Sequence, residues 1–187
     1  MYSLKSESYH DWYEKCLNTL IPECLGDLSR KYNLRYKPVS VTEIAMYNEH
    51  CCLILGLDKR DGVILTTDVN ENGKRVEYST NIFFRVSIDD SDKEGVDLNV
   101  HHFLEKVRRD LMILSRNLDS KWSKYLQGDM SWFEDYKKCD SFYEDQNYME
   151  ERNRLLDEII AWQQEQKTKP SALLGGLFIA FQKFFNF

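Results

Sequence analysis

The sequence lacks several features that would define its class at once. Its 187 residues include only three prolines and eight scattered glycines, which excludes a collagen-like chain, and no internal repeat or low-complexity tract occurs. Acids outnumber bases by 31 to 25, for a net charge of −6, which disfavours a basic protein that coats nucleic acid. With 42% hydrophobic and 30% charged residues, the composition is that of a soluble globular protein.

The cysteines and the N-terminus indicate the compartment. Five cysteines with irregular spacing make a poor disulfide framework. Cys51 and Cys52 are adjacent and would point to opposite faces of a strand. The first residues lack the basic start and the apolar run of a signal peptide. We therefore expect reduced thiols in a cytoplasmic protein.

Catalytic and metal-binding motifs are also lacking. No Gly-rich phosphate loop, no Gly-x-Ser-x-Gly and no zinc-type spacing of cysteine and histidine occurs. Two calcium-like strings start at Asp68 and Asp90, but both lack the glutamate required at the twelfth position. His50 and Cys52 could share a strand face, although a core cysteine pair is the favoured interpretation. The sequence thus predicts no catalytic residue, cofactor or metal ligand.

The first half of the chain shows helical and then strand-like periodicity. An amphipathic helix is predicted over 8–21 and a short one over 23–31, after Pro22. Asn72-Gly73 favours a type I′ hairpin turn. Short links between the strands predict an antiparallel meander. Four strands are expected, at about 37–47, 51–58, 62–69 and 75–88.

A loop over 89–97 is followed by a helical pattern to about residue 167. The predicted helical pieces cover about 103–118, 122–128, 131–138 and 141–166. The fold class is therefore α+β, with N-terminal helices, a four-stranded antiparallel meander and C-terminal helices packed on one face of the sheet. Residues 1–169 are expected to form one domain, to which 170–187 are appended as a tail.

The tail is apolar and amphipathic. Eleven of residues 171–187 are apolar. A helix of this length, with a polar stripe along one side, is too short to span a membrane. It could pack on its own domain, dock into a partner or a second copy of the chain, or lie at a membrane interface, the last being least favoured because Lys183 is its only base. The docking residues would be Leu174, Leu177, Phe178, Phe181, Phe184 and Phe185.

Charge is segregated in the second half of the chain. The loop 89–97 carries a charge of −4 and residues 129–151 carry −6, whereas 99–128 carry +3. We expect the basic stretch to pair internally and the acidic clusters to contact a partner. The candidate contact residues are Asp89, Asp90, Asp92, Glu94, Asp97, Glu134, Asp135, Glu144 and Asp145.

One segment resembles a known kind of protein. Residues 125–133 read Tyr-Leu-Gln-Gly-Asp-Met-Ser-Trp-Phe, a helix that ends in Leu-x-Gly-Asp before an aromatic pair, after a strand meander. This arrangement, over about 36–133, resembles small bacterial cytosolic proteins of the toxin-immunity type. The long acidic helix and the Phe-rich tail depart from that pattern, and no site residue can be carried over. The resemblance implies a binding protein.

The expected function is therefore protein binding, by an immunity- or antitoxin-like inhibitor that occludes a cognate toxin. A basic toxin domain is the expected partner, because an acidic surface is steered to a basic cleft. No binding to nucleic acid is expected. The alternative is an assembly or chaperone-like adaptor that acts through the tail, and an enzyme is the third possibility. Whether the chain forms a homo-oligomer stays open.

Overall fold

A computed structural model describes residues 15–58, 62–71, 74–140, 142, 144–145 and 149–168, without the side chains of Leu17, Glu144 and Asp145. A π-helical turn, Cys16–Leu20, leads directly into the first α-helix. The α-helices are α1 (Ile21–Tyr32), α2 (Asn81–Val86), α3 (Asp90–Lys93), α4 (Phe103–Ser120), α5 (Ser123–Leu126), α6 (Ser131–Tyr136) and α7 (Glu150–Thr168). The strands are β1 (Arg35–Pro38), β2 (Glu43–Tyr47), β3 (Cys52–Asp58), β4 (Gly62–Glu71), β5 (Lys74–Tyr78) and the two-residue β6 (Glu144–Asp145).

The strands form one antiparallel sheet in sequence order, which confirms the predicted α+β class and meander but not the number of strands. The predicted strand 37–47 is two strands, because Pro38 pairs with Ile44 across a tight turn. The N–H groups of Val39 and Ser40 both donate to the carbonyl of Glu43, at 3.1 and 3.3 Å. With β1 and β2 separate, five strands precede the short edge strand β6.

The predicted strand 75–88 is also wrong in its second half. β5 ends at Tyr78, and α2 begins three residues later. The carbonyl of Thr80 accepts from the N–H of Phe84 at 3.0 Å, and the buried hydroxyls of Thr80 and Thr67 are 2.8 Å apart. The helix buries Phe84 in the core and leaves Ile82 and Val86 exposed, whereas a continued strand would put all three on one face. Tertiary packing thus overrides the strand pattern.

Helices cover both faces of the sheet, which corrects the expectation of one covered face. Leu53 and Leu55 of β3 belong to the larger core with α1, α2 and α4 to α6. Ile54, on the opposite face, packs with Leu156 and Ile159 of α7. The four residues Cys52 to Leu55 are therefore all buried, as in strands that lie between two helical layers.

The helices after the sheet follow the prediction in part. α4, α5 and α6 lie where they were expected, and Gly128, with φ of +96°, closes the segment that contains α5. The predicted helix 141–166 begins only at Glu150, because part of that range forms β6. The predicted loop 89–97 contains α3, whose N-terminus is capped by Asp89. Residues 8–14, Asn72-Gly73 and the tail 170–187 lie outside the described residues.

None of the helices in the described part of the chain combines the length and the apolar character needed to cross a bilayer.

Candidate protein-binding site

Helix α2 presents different side chains to the core, to solvent and to two hollows of the surface. Phe84 is buried in the core, whereas Phe83 lines a groove shared with α5 and α6. Ile82 and Val86 lie one helical turn apart and are 60% and 75% exposed. Two large apolar side chains on one exposed helix face are a feature that binding surfaces have and that folding does not require.

The groove beside α2 has an aromatic floor. It measures about 280 Å³, and Phe83, Trp122, Tyr125 and Trp132 line it. The ring centroids of Phe83 and Trp122 are 5.4 Å apart, and those of Tyr125 and Trp132 are 5.1 Å apart. The indole N–H of Trp132 is buried and has no acceptor among the described residues. Aromatic side chains in a partly open groove are typical anchors of protein interfaces.

A chain of hydrogen bonds holds α2 and α3 against α4. The indole N–H of Trp122 donates to the hydroxyl of Ser87 at 2.8 Å, and that hydroxyl lies 3.1 Å from Oδ1 of Asn117. The amide of Asn117 donates to Asp92 at 3.0 Å. The ammonium of Lys121 also contacts Asp92. The surface around α2 is therefore fixed by buried polar contacts, not only by apolar packing.

Asp92 is the centre of this network and is buried, with 1% of its surface exposed. Burial raises the pKa of this carboxyl, but hydrogen bonds from Lys121 and Asn117 outweigh it, so the pKa is lowered overall. Its side chain also caps the backbone N–H of Asp89 at 3.0 Å. A buried carboxylate cannot contact a partner, so we remove Asp92 from the predicted contact set and assign it a structural role.

The other predicted acids of 89–97 lie on the surface. Asp89, Asp90, Glu94 and Asp97 are all exposed. Asp89 lies 2.8 Å from the ammonium of Lys121, and this hydrogen bond, followed by those from Ser91, lowers the pKa of Asp89. Because these carboxylates lie on the surface, a partner can reach them.

The second acidic cluster lies at the same groove. Asp135 of α6 and Asp129 line the groove together with Lys121, which binds Asp89 of the first cluster. Glu134 is exposed one residue before Asp135. The fold therefore brings together acids that are some 40 residues apart in sequence. The side chains of Glu144 and Asp145 are not described, and the predicted docking residues of the tail lie outside the described residues.

The basic stretch mostly pairs internally, as predicted. Lys121 binds Asp89 and Asp92, Arg108 lies 3.1 Å from Glu23, and Arg109 lies 2.8 Å from Asp110. The guanidinium of Arg116 donates to two backbone carbonyls near α3. Most of these cations are therefore engaged within the chain. The groove itself is lined by two lysines, Lys121 and Lys124, and by two acids, Asp129 and Asp135.

The cysteines do not form a reactive centre with His50. Cys51 and Cys52 lie in the two different cores, so they point to opposite faces as predicted. Burial raises the pKa of Cys51 to about 12, and burial and then Asp68 raise that of Cys52 well above its usual range. His50 lies at the surface, 3.2 Å from Glu49. A buried neutral thiol is a poor nucleophile. All five cysteines are free thiols.

No group of three or more histidine, cysteine or acidic side chains within the described ranges is arranged to hold a metal ion. The two calcium-like strings fall in other settings. Asp68 is buried in β4, and Asp90 opens the short helix α3.

Comparison of the chain with protein-family models, with curated proteins and with solved structures finds no match. The toxin-immunity resemblance therefore stays a prediction, and an assignment of function has to rest on the geometry.

Sequence reasoning missed Ile82 and Val86, the most exposed apolar pair of α2. The segment was predicted as a strand, in which these residues would have been one alternating face. Spacing gives no signal here, because residues four apart share a face in a strand as well as in a helix.

Proposed function

We propose that this chain is a cytoplasmic protein-binding protein that inhibits a basic partner by covering it, in the manner of an immunity protein or antitoxin. The observation that carries the proposal is the composition of one surface. The exposed pair Ile82 and Val86 lies beside an aromatic groove, and acids from two distant parts of the sequence border that groove. An apolar centre with a charged rim is the usual anatomy of a protein interface.

The exposed acids favour a basic partner. Asp89, Asp90, Glu134 and Asp135 each pair with a lysine of this chain, and a basic domain would replace these exposed pairs, which contribute little to stability. Apolar contacts with α2 would then hold the complex, because buried apolar and aromatic anchors supply most of the binding energy in such interfaces. A toxin with a basic cleft for nucleic acid is the kind of partner that fits. The free thiols support a cytoplasmic setting.

The test uses the full chain as bait in an extract of its native host, with stoichiometric partners identified by mass spectrometry. We expect a basic protein to bind the natural chain and to be lost from the double variant Ile82→Asp/Val86→Asp. Val41→Asp is the matched control, since Val41 is 68% exposed in the turn between β1 and β2, away from α2. Loss of the partner from both variants, or from neither, would contradict the proposed surface.

The electrostatic part of the proposal is tested with the purified partner. The charge reversal Glu134→Lys/Asp135→Lys should slow association by about tenfold or more at low salt and flatten its dependence on salt concentration. Unchanged association kinetics, with the same salt dependence, would show that the acidic rim does not guide the partner. An acidic partner would contradict the proposed partner class even if α2 proved to be the contact.

A further inference from the structure

A second hollow of the surface lies on the other side of α2 and has a different chemistry. It measures about 300 Å³ and is enclosed by the start of β4, by α2 and α4 and by the end of α3. Four of its lining side chains, from β4 and α4, are apolar and at most 9% exposed. These are Val63, Leu65, Ile113 and Leu114, and the half-buried Ile88 completes the apolar lining.

The polar lining of this cavity is dominated by cations. Arg85, Lys93 and Arg109 line it, against one carboxylate, that of Asp110. Asp110 is already engaged, because it accepts the N–H of Val63 at 3.1 Å and binds Arg109 at 2.8 Å. Lys93 also lies 3.4 Å from Asp90. Exposed ion pairs of this kind contribute little to the stability of a protein. The charged part of the lining therefore consists of three cations and one carboxylate, beside the apolar side chains.

The two guanidinium groups are held in place. Arg85 donates to Oδ1 of Asn81 at 3.1 Å and to the carbonyl of Val63 at 2.8 Å. Arg109 binds the carboxylate of Asp110. That carboxylate lies against the backbone of Gly62, where an added Cβ would be 2.1 Å from its Oδ2. Pre-positioned guanidinium groups present several donors in a fixed plane, an arrangement that suits a carboxylate.

We propose that this cavity binds a small organic anion, a carboxylate on an aliphatic or aromatic body of about ten non-hydrogen atoms. A body of this size fits the volume of about 300 Å³, which equals the liquid volume of about ten waters. The carboxylate lies between Arg85, Arg109 and Lys93, and the apolar body lies on Leu65 and Ile113. This site is separate from the aromatic groove and does not depend on the proposed inhibitor function.

The test is a titration of the full, ¹⁵N-labelled chain with benzoate, followed by NMR. Benzamide is the control ligand, since it has nearly the same shape without the charge. We expect saturable shifts of the amides at Val63, Leu65 and Ile88, with benzamide binding about tenfold more weakly because charged hydrogen bonds are lost. Benzamide binding as tightly as benzoate would overturn the proposal.

Variants locate the site. Arg109→Gln should weaken benzoate about tenfold, whereas Lys106→Gln, on the same helix but outside the cavity, should not change its affinity. Lys93→Gln tests the same charge on another element should Arg109→Gln fail to fold. Ile88→Trp should fill the apolar lining and abolish the shifts. The proposal would be overturned if benzoate caused no saturable shifts, or if the shifts persisted in Ile88→Trp. It would also be overturned if inorganic phosphate bound as tightly as benzoate.

Discussion

Among single residues, Asp68 has the most unusual environment. Its side chain is fully buried under α7, where Arg75 donates to it at 3.3 Å. Burial and then the charge of Glu77 raise the pKa of Asp68 to about 7, although Arg75 acts in the opposite direction. Because the folded chain holds this proton more tightly than the unfolded chain, the stability it contributes is present below about pH 4 and is lost as pH rises to about 7.

Asp68→Asn should therefore change the pH dependence of stability. The variant cannot ionise, so its free energy of unfolding should rise relative to the natural chain by about 2–3 kcal/mol between pH 5 and pH 8. Urea denaturation at the two pH values measures this difference. Asp157→Asn is the control, since Asp157 binds the same Arg75 but its side chain is 63% exposed. Parallel stability curves for Asp68→Asn and the natural chain would contradict the raised pKa.

Gly62 is a position where only glycine fits. Its φ is +78°, and an added Cβ would collide with the carboxylate of Asp110. Gly62→Ala should lower the free energy of unfolding by about 2–3 kcal/mol, from backbone strain and from the lost hydrogen bond between Asp110 and Val63. Gly95→Ala, at φ of +67° with open space around it, should cost only about 1 kcal/mol. Chemical denaturation of both variants compares them, and equal losses would show that Asp110 yields freely.

At the scale of elements, α7 is fastened to the sheet by a buried ion pair. Arg152 is 1% exposed and binds Glu77 at 2.6 Å and Glu43 at 2.7 Å, so that one guanidinium joins the helix to β2 and β5. Apolar contacts of Leu156 and Ile159 supply the rest of this layer. Removal of the cation would leave two carboxylates facing each other in a buried site.

Arg152→Met should therefore destabilise the chain by about 3–5 kcal/mol. Arg154→Met, two residues along on the exposed side of α7, should cost less than about 1 kcal/mol although Arg154 also pairs with two glutamates. Hydrogen exchange of the α7 amides, compared with those of α4, would show whether the outer layer opens first. Equal protection of α7 in both variants would mean that apolar packing alone holds the helix.

The sequence predicts some of these elements and not others, for local reasons. Helix α1 and the strands β3 and β4 have uninterrupted periodicity and are placed correctly to within a few residues. The turn inside 37–47 and the helix α2 were missed because alternating apolar residues continue through both. The second helical layer was missed although the run Cys52 to Leu55 is apolar on both faces, which is its signal.

The candidate site was only half predictable for a similar reason. The acidic clusters are visible in the sequence as local charge, but their convergence on one groove depends on the contact of Lys121 with Asp89, which is long-range. Asp92 has the same composition signal as Asp90, yet one is buried and the other fully exposed. Burial of a single carboxylate is decided by Asn117 and Lys121, and no pattern within 89–97 indicates them.

For the whole molecule, the arrangement of layers determines which parts can be removed. In the part of the chain that the structure describes, both apolar cores are built from residues between Cys16 and Ile160. The proposed binding surface lies on α2, α3 and α6, well within that range. The proposed surface can therefore be tested separately from the apolar tail 170–187, through which the alternative adaptor function would act.

A chain truncated to residues 1–169 should separate the two functions. We expect it to unfold in one cooperative transition, with a midpoint within a few degrees of the full chain, because both cores are retained. Thermal denaturation followed by circular dichroism measures this. The truncated chain should also retain the basic partner, since α2 and the acidic rim are present. If the truncated chain folds but loses its partner, the adaptor function is favoured, because the tail then makes the contact. If the truncated chain no longer unfolds cooperatively, the tail is part of the core.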